Sequence, residues 1–544
     1  MAATIKHTTL GEVKGNIKSG TAQFLGLKYA TLKNRLATAE IAQNDGTGVI
    51  DATKFGPPPV SPIGAINNEF GFLQKSLPIP DVPQHSDLEG LNLNITVPLS
   101  KNGEIDSKAN LPVYVFIHGG GFAVGSSWYP HYDPTALVNL SVEKGKPIIG
   151  ITINYRLGAA GFLTSEELRK AGYKANNGFH DQRTAMRWIK QNIGGFGGNP
   201  NLITASGESA GGLSVTMFLA SKEPLMNRCL STGGAVLLFK PIPQAVAEAS
   251  YQTIIKTLGL ADKSPKERIE ALLSLPQDDL WQKVPPTAPL LPVLDEETVP
   301  GSPDFSIVSS KEDNEKFLMP GRKWCDALMI GESKLDANIL AFLGMDARGP
   351  NIAQKFIDSV KKTLSSHSQA AEQLFSVYNI TPDTPDEEAT LAILRFASEA
   401  SFYAPARAFA QGWPSPPTGK FFLYHFNEGI PWPGRFQGEA GHILDVAFLF
   451  QNYNEHLSDE ARAVAKKYGE DFIEFVNGND PWPPVQGGKF GARVYGPSNE
   501  GVTTKYVADG NPAEIGRDER VLKLGELIGF DNVLGAFQNF FEGR

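Results

Sequence analysis

One stretch constrains this chain more than any other: Thr204-Ala205-Ser206-Gly207-Glu208-Ser209-Ala210-Gly211-Gly212, which holds the sole Gly-x-Ser-x-Gly of the sequence. Before it runs Asn201-Leu202-Ile203-Thr204-Ala205, a short apolar segment that reads as a buried strand. After it, Gly212-Leu213-Ser214-Val215-Thr216-Met217-Phe218-Leu219-Ala220 reads as the start of a packed helix. The pattern alone arises by chance in a chain of this length. Strand, tight turn and helix around it make it a nucleophile elbow, a bend that thrusts a serine out at the carboxyl end of a strand. Gly207 and Gly211 fit such a bend, because a Cβ at either would strike the neighbouring strand or helix. Ser209 then sits at a helix N-terminus, where negative charge is favoured.

A serine hydroxyl is a weak nucleophile at neutral pH and needs a base within hydrogen-bond reach. The base needs an acid behind it to fix its tautomer and to stabilise the imidazolium. In a sheet with this elbow the partners follow in the order serine, acid, histidine. Downstream of Ser209 lie His367, His425, His442 and His456. His425 sits in a strand-like apolar run and reads as a core residue. His367 and His456 lie in polar, helix-like surroundings and read as solvated. His442 lies in a glycine-flanked loop, Gly438-Glu439-Ala440-Gly441-His442, and loops on a rigid scaffold carry most catalytic groups. The acid should follow a strand end between the two. Ala327–Gly331 is the clearest strand there, and Glu332 and Asp336 both follow it, with nothing in the pattern to separate them. A developing oxyanion also needs donors. His118-Gly119-Gly120-Gly121 follows the apolar run Pro112–Ile117, and its amides can point at the elbow without side chains in the way.

The rest of the chain supports a large, continuous α/β core. Runs such as Pro112–Ile117 and Ile148–Asn154 read as strands buried on both faces, and Leu91–Val97 as an alternating strand. Residues 10–30 read as antiparallel strands separated by glycine turns. Ala185, Trp188, Ile189 and Ile193 fall on one helical face between Asp181 and Ile193. Glu388–Ser401, Ser458–Val476 and the last thirty residues read as helices, and Phe421–His425 as a strand. Residues 56–85 and 285–303 are proline-rich and irregular, as site walls or lids often are. No repeat or charged linker divides the 544 residues, so one domain, residues 1–544, is expected. The net charge of −9 is interspersed, which argues against nucleic acid as a partner, and no apolar run spans a bilayer. Two cysteines, Cys229 and Cys325, and no apolar signal core at the amino terminus point to a cytoplasmic protein.

These residues resemble the type-B carboxylesterase/cholinesterase family of α/β-hydrolases over nearly the whole chain. The resemblance is carried by Gly11–Gly15, Phe24–Ala30, His118–Phe122, Asn154–Gly158, Asp181-Gln182 with Trp188, Phe196–Asn201 leading into the elbow, Leu291–Asp295 and Asn479–Pro481. It implies an α/β-hydrolase fold, a large mostly parallel central sheet with helices on both faces. It implies a serine carboxylesterase acting through an acyl-enzyme on a small-molecule ester, with no cofactor and no metal. Ser209 matches the nucleophile and His442 the base. The acid lies five residues beyond the strand-ending glycine, which selects Asp336 where most members carry Glu. The amides of Gly120, Gly121 and Ala210 match the oxyanion hole, and Phe122 and Glu208 are assigned to the substrate pocket. Gly90 replaces a cysteine of many members, so the disulfide tying down the preceding loop is absent and residues 60–90 are expected to be freer. That loop has no Trp to bind choline. Gly233 stands where a serine usually supports the acid, so Ser231 or Thr232 substitutes, or the acid is held differently. An acyltransferase or lactone-forming enzyme with the same triad, and a non-catalytic binding homologue, are the alternatives; a homodimer is left open.

Overall fold

Apolar runs in the sequence become neighbouring strands of one sheet in the computed structural model, which describes residues 2–285, 288–312, 317–415 and 419–543. The strands are β1 (Ala2–His7), β2 (Gly11–Lys18), β3 (Thr21–Lys28), β4 (Val49–Asp51), β5 (Asn92–Pro98), β6 (Leu111–Ile117), β7 (Ile149–Ile153), β8 (Gly198–Glu208), β9 (Arg228–Thr232), β10 (Ala327–Ser333), β11 (Lys420–Phe426), β12 (Ala492–Tyr495) and β13 (Thr504–Val507). They line up as β1-β2-β3-β5-β7-β6-β8-β9-β10-β11-β12-β13, with β4 beside β2. From β7 to β12 every pairing along this order is parallel, and both flanks continue it antiparallel, while β4 pairs β2 in parallel. The expected antiparallel opening at residues 10–30 is β2 and β3, to which β1 adds an edge strand. β5 is buried along its whole length rather than alternating, because helices cover both faces of the sheet there.

Side chains on β6 show how the sheet divides two cores. Tyr114 and Phe116 pack into one apolar cluster, and Val113, Val115 and Ile117 into the other. That is the period of two expected when a strand is covered on both faces.

The helices used below are α1 (Ile66–Leu73), α2 (Asn177–Asn192), α3 (Ala210–Met217), α4 (Ser368–Tyr378), α5 (Asp386–Ser398), α6 (Leu444–Leu449), α7 (Asp459–Val476), α8 (Glu519–Ile528) and α9 (Phe530–Glu542). Ala185, Trp188, Ile189 and Ile193 are buried as the helical spacing predicts. α7 begins at Ser458, whose hydroxyl accepts from the Ala461 amide. The single C-terminal helix expected from sequence is two, broken at Gly529 with φ +85°. Residues 56–85 contain α1, which the surrounding prolines hide from periodicity. This segment is fastened in place by polar contacts: Asp87 to Arg35 at 2.6 Å, His85 to Asp278 at 2.5 Å, and Glu69 to His131 at 2.7 Å. Cys229 and Cys325 are buried thiols. Part of the 285–303 expectation, at residues 286–287, lies outside the described residues.

Candidate active site

The site lies where the strand order reverses, at the carboxyl ends of β6 and β8, the usual crevice of an open α/β sheet. Gly207 on β8 is in register with Ile117 on β6, so His118–Gly121 emerges beside Glu208 and Ser209. Ser209 turns the corner with φ +55° and ψ −119°, a backbone that costs a non-glycine residue about 1–3 kcal/mol. Its surroundings enforce that conformation. The Ser209 N–H donates to the Thr232 carbonyl at 2.9 Å, and the Leu213 N–H donates to the Ser209 carbonyl at 2.9 Å. The elbow glycines are required by close approach: a Cβ on Gly207 would lie 2.1 Å from the Gly211 carbonyl oxygen, and one on Gly211 would lie 2.0 Å from that of Ile117.

Asp336 and His442, 106 positions apart, meet at 2.8 Å between Oδ1 and Nδ1. Both are buried. Asp336 is held from behind, since its Oδ2 accepts the Ser333 N–H at 2.7 Å. His442 is held through its backbone, whose N–H donates to Asn338 Oδ1 at 2.8 Å. The two loops are tied together by the Leu335 N–H donating to the Ala440 carbonyl at 2.8 Å. Neither the Ser231 nor the Thr232 hydroxyl bonds Asp336. The Ser231 hydroxyl donates to the Gly234 carbonyl and that of Thr232 to the Gly207 carbonyl at 3.1 Å. Gly233 has φ +53°, a backbone that favours glycine, and a Cβ there would crowd His442 Cε1 at 3.0 Å. Ser333, through its backbone, takes over the anchoring, a role no side-chain pattern could disclose.

The other candidate carboxylate, Glu332, lies within β10 as the cross-strand partner of His425. It binds His425 Nδ1 at 2.5 Å and Arg517 at 2.9 Å, a buried ionic cluster inside the sheet. His425 is wholly buried, and His456 is exposed, as read from sequence.

Glu208 is the unexpected neighbour. Its Oε1 lies 3.0 Å from His442 Nε2, yet no donor is aligned on either of its buried oxygens. Its Oε2 lies 2.1 Å from where Gly119 would carry a Cβ, and Ser209 Cβ lies 2.9 Å from the same point. Carboxylate, serine and Nε2 thus share one corner. Burial alone lowers the basicity of His442; the Glu208 charge and the Asp336 hydrogen bond overcome it and push the ring up to about 10. Burial raises the Glu208 carboxyl, with the His442 charge opposing.

The amides of Gly120, Gly121 and Ala210 have no protein acceptor among the described residues. Gly120 and Gly121 adopt φ +94° and +60°, and the Cβ direction of Gly121 is open. Phe122, expected in the pocket, is wholly buried behind this run, with ring centroids 4.9 Å from Phe162 and 5.7 Å from Phe179. It braces the glycine loop from the core side. Ser209 is only 9 % exposed. A cavity of about 450 Å³ lies between residues 58–85 and Trp128 and Tyr129, but neither Ser209 nor His442 lines it. Among the described residues no group of three His, Cys, Asp or Glu side chains could hold a metal ion, and no helix is long and apolar enough to cross a membrane.

Comparison with known proteins gives the family of the chain. Residues 2–506 match the family described as "Carboxylesterase family". Lipase 1 of Yarrowia lipolytica is 28 % identical over 513 residues, covering 88 % of this chain and 88 % of the lipase. The para-nitrobenzyl esterase of Bacillus subtilis is 26 % identical over 522 residues, covering 89 % of this chain and 93 % of the esterase. Among solved structures, a carboxylesterase of Geobacillus stearothermophilus superposes with a TM-score of 0.71 at 23 % identity, over 94 % of this chain and 99 % of that one.

Proposed function

This chain belongs to the carboxylesterase family and is a carboxylic ester hydrolase, and on that premise we propose that Ser209, His442 and Asp336 are its triad and the amides of Gly120, Gly121 and Ala210 its oxyanion hole. His442 Nε2 takes the Ser209 proton as Oγ attacks the ester carbonyl carbon. The C=O electron pair moves onto oxygen, where the three amides receive it, already oriented and free of protein acceptors. Collapse of that intermediate breaks the C–O bond to the alcohol, which leaves with the proton from His442. Water then attacks the acyl-enzyme by the same route and releases a carboxylic acid and Ser209. Asp336 holds the Nδ1 proton and stabilises the imidazolium throughout.

The observation that carries this reading is the 2.8 Å pairing of Asp336 with His442 beside a strained serine elbow. The two free, buried cysteines support a reducing, cytoplasmic setting. Ser209→Ala tests the triad. Hydrolysis of a 4-nitrophenyl ester should fall by about 10⁴-fold or more, and labelling by a fluorescent organophosphonate should vanish. Equal labelling of variant and wild type would remove Ser209 from this role.

A further inference from the structure

The turn that carries Asp336 makes a second contact with His442, apart from the carboxylate–imidazole pair. Asp336–Asn338 form one 3₁₀ turn after β10. Its first side chain binds the imidazole Nδ1 at 2.8 Å, and its third, Asn338, accepts the His442 backbone N–H on Oδ1 at 2.8 Å. One turn therefore grips both the ring and the main chain of the same residue. The ring can neither swing nor slide along the chain without breaking one of these bonds.

The surroundings hold both partners of this grip. The Asn338 N–H closes the turn onto the Leu335 carbonyl at 3.0 Å. The Ala337 N–H donates to the Ser398 hydroxyl on α5 at 3.0 Å, and that hydroxyl donates to the Leu394 carbonyl at 2.8 Å. On the far side of His442, Ile443 has φ +70°, left-handed backbone that a β-branched residue rarely adopts. Its carbonyl accepts the Ala447 N–H of α6 at 2.9 Å. Strain of this kind persists only where the packing around it over-determines the conformation. On the near side, Gly441 permits the close approach: a Cβ there would lie 2.6 Å from Asn338 Nδ2. Phe402 meets the imidazole at a steep angle, with centroids 5.7 Å apart.

Asn338 is wholly buried, and its Nδ2 has no acceptor among the described residues. A buried donor without a partner is a cost that an apolar side chain would not carry. Packing alone therefore does not account for an amide at this position. The acceptor that it offers to His442 does.

We propose that Asn338 is a positioning residue for His442: its Oδ1 fixes the His442 main chain, and with it the reach of Nε2 toward Ser209. The proposal rests on the triad reading and goes beyond it, because Asn338 acts through the backbone of His442 rather than on the reacting atoms.

The test is steady-state hydrolysis of 4-nitrophenyl butyrate by variants of the full chain, with thermal melts to show that each folds. Asn338→Ala removes the acceptor, and Asn338→Leu removes it while filling the space. In both, kcat should fall about 100-fold, as it does when a catalytic group is displaced on the ångström scale, with KM little changed. Asn338→Asp keeps the shape and the acceptor, and there is no Nδ2 hydrogen bond for it to lose. Measured above its acid limb, it should recover most of that kcat. Wild-type kcat in a folded Asn338→Ala or Asn338→Leu variant overturns the role. So does a rise in KM that accounts for the whole loss, or a loss in Asn338→Asp as deep as in the other two. Failure of both apolar variants to fold makes the contact structural and overturns it as well. Ser209→Ala and His442→Ala are assayed alongside. Wild-type activity in either sinks the triad reading, whereas inactivity in both with an unaffected Asn338→Ala sinks the positioning alone.

Discussion

At the scale of single residues, Glu208 decides how the proposed base titrates. Its carboxylate sits 3.0 Å from His442 Nε2 and has no aligned donor of its own. Burial opposes charge on both groups. The Glu208 anion and Asp336 nevertheless hold the imidazole protonated up to about 10, while burial raises Glu208. The two titrations are linked, because each group's charge stabilises the other's charged form. A general base acts only when deprotonated, so a raised imidazole pKa removes activity on the acid side of the pH profile. Glu208→Gln removes the anion that raises it. The acid limb of kcat/KM should therefore move to lower pH. A limb that stays in place in this variant would show that Glu208 does not govern the ionisation of His442.

At the scale of elements, Arg156 and Asp181 fasten the turn after β7 to α2. Arg156 donates to Asp181 through Nε at 2.8 Å, through its terminal nitrogen at 2.7 Å and through its backbone N–H at 3.0 Å. Its other terminal nitrogen reaches the Arg35 and Ala37 carbonyls at 3.0 and 2.7 Å. The pair is almost wholly buried. Asp181→Asn leaves a guanidinium in the interior without its counter-charge, a change that costs about 3–5 kcal/mol. The urea midpoint of that variant should fall accordingly, and an unchanged midpoint would mean the pair is dispensable. The elements themselves were legible to different degrees. Pro112–Ile117 and Ile148–Asn154 announced buried parallel strands by their unbroken apolar runs. The elbow at Ser209 and the glycine-flanked loop of His442 were legible as candidates because both are local patterns. Glu332 and Asp336 were not separable by pattern, since both follow the same strand. Register separates them: Glu332 is still within β10 and faces His425 across the sheet, whereas Asp336 lies beyond the strand end. The contacts of Glu208 and Ser333 depend on loops brought together from afar, and α1 was hidden by flanking prolines.

At the scale of the whole molecule, the two apolar cores on either face of the sheet hold the scaffold, and residues 56–90 are attached to it from outside. Separate polar contacts fasten them. Asp87 reaches Arg35, His85 reaches Asp278, and Gln74 bonds the Trp432 carbonyl at 3.1 Å. The most buried of these fastenings is Glu69 on α1, which binds His131 at 2.7 Å and the Tyr132 hydroxyl at 3.0 Å. A buried hydrogen bond to a charged group contributes about 1.5–3 kcal/mol. Segments held by a few such bonds open locally, at a free energy below that of global unfolding. Glu69→Gln keeps the size and one acceptor but removes the charge. Amide hydrogen exchange in Ile66–Leu73 should then speed up about tenfold or more, while exchange in β6 and β8 stays at the global rate. Equal acceleration in the central strands would mean that the loop is part of the core's cooperative unit. Unchanged exchange in α1 would mean that the Glu69 charge does not hold it.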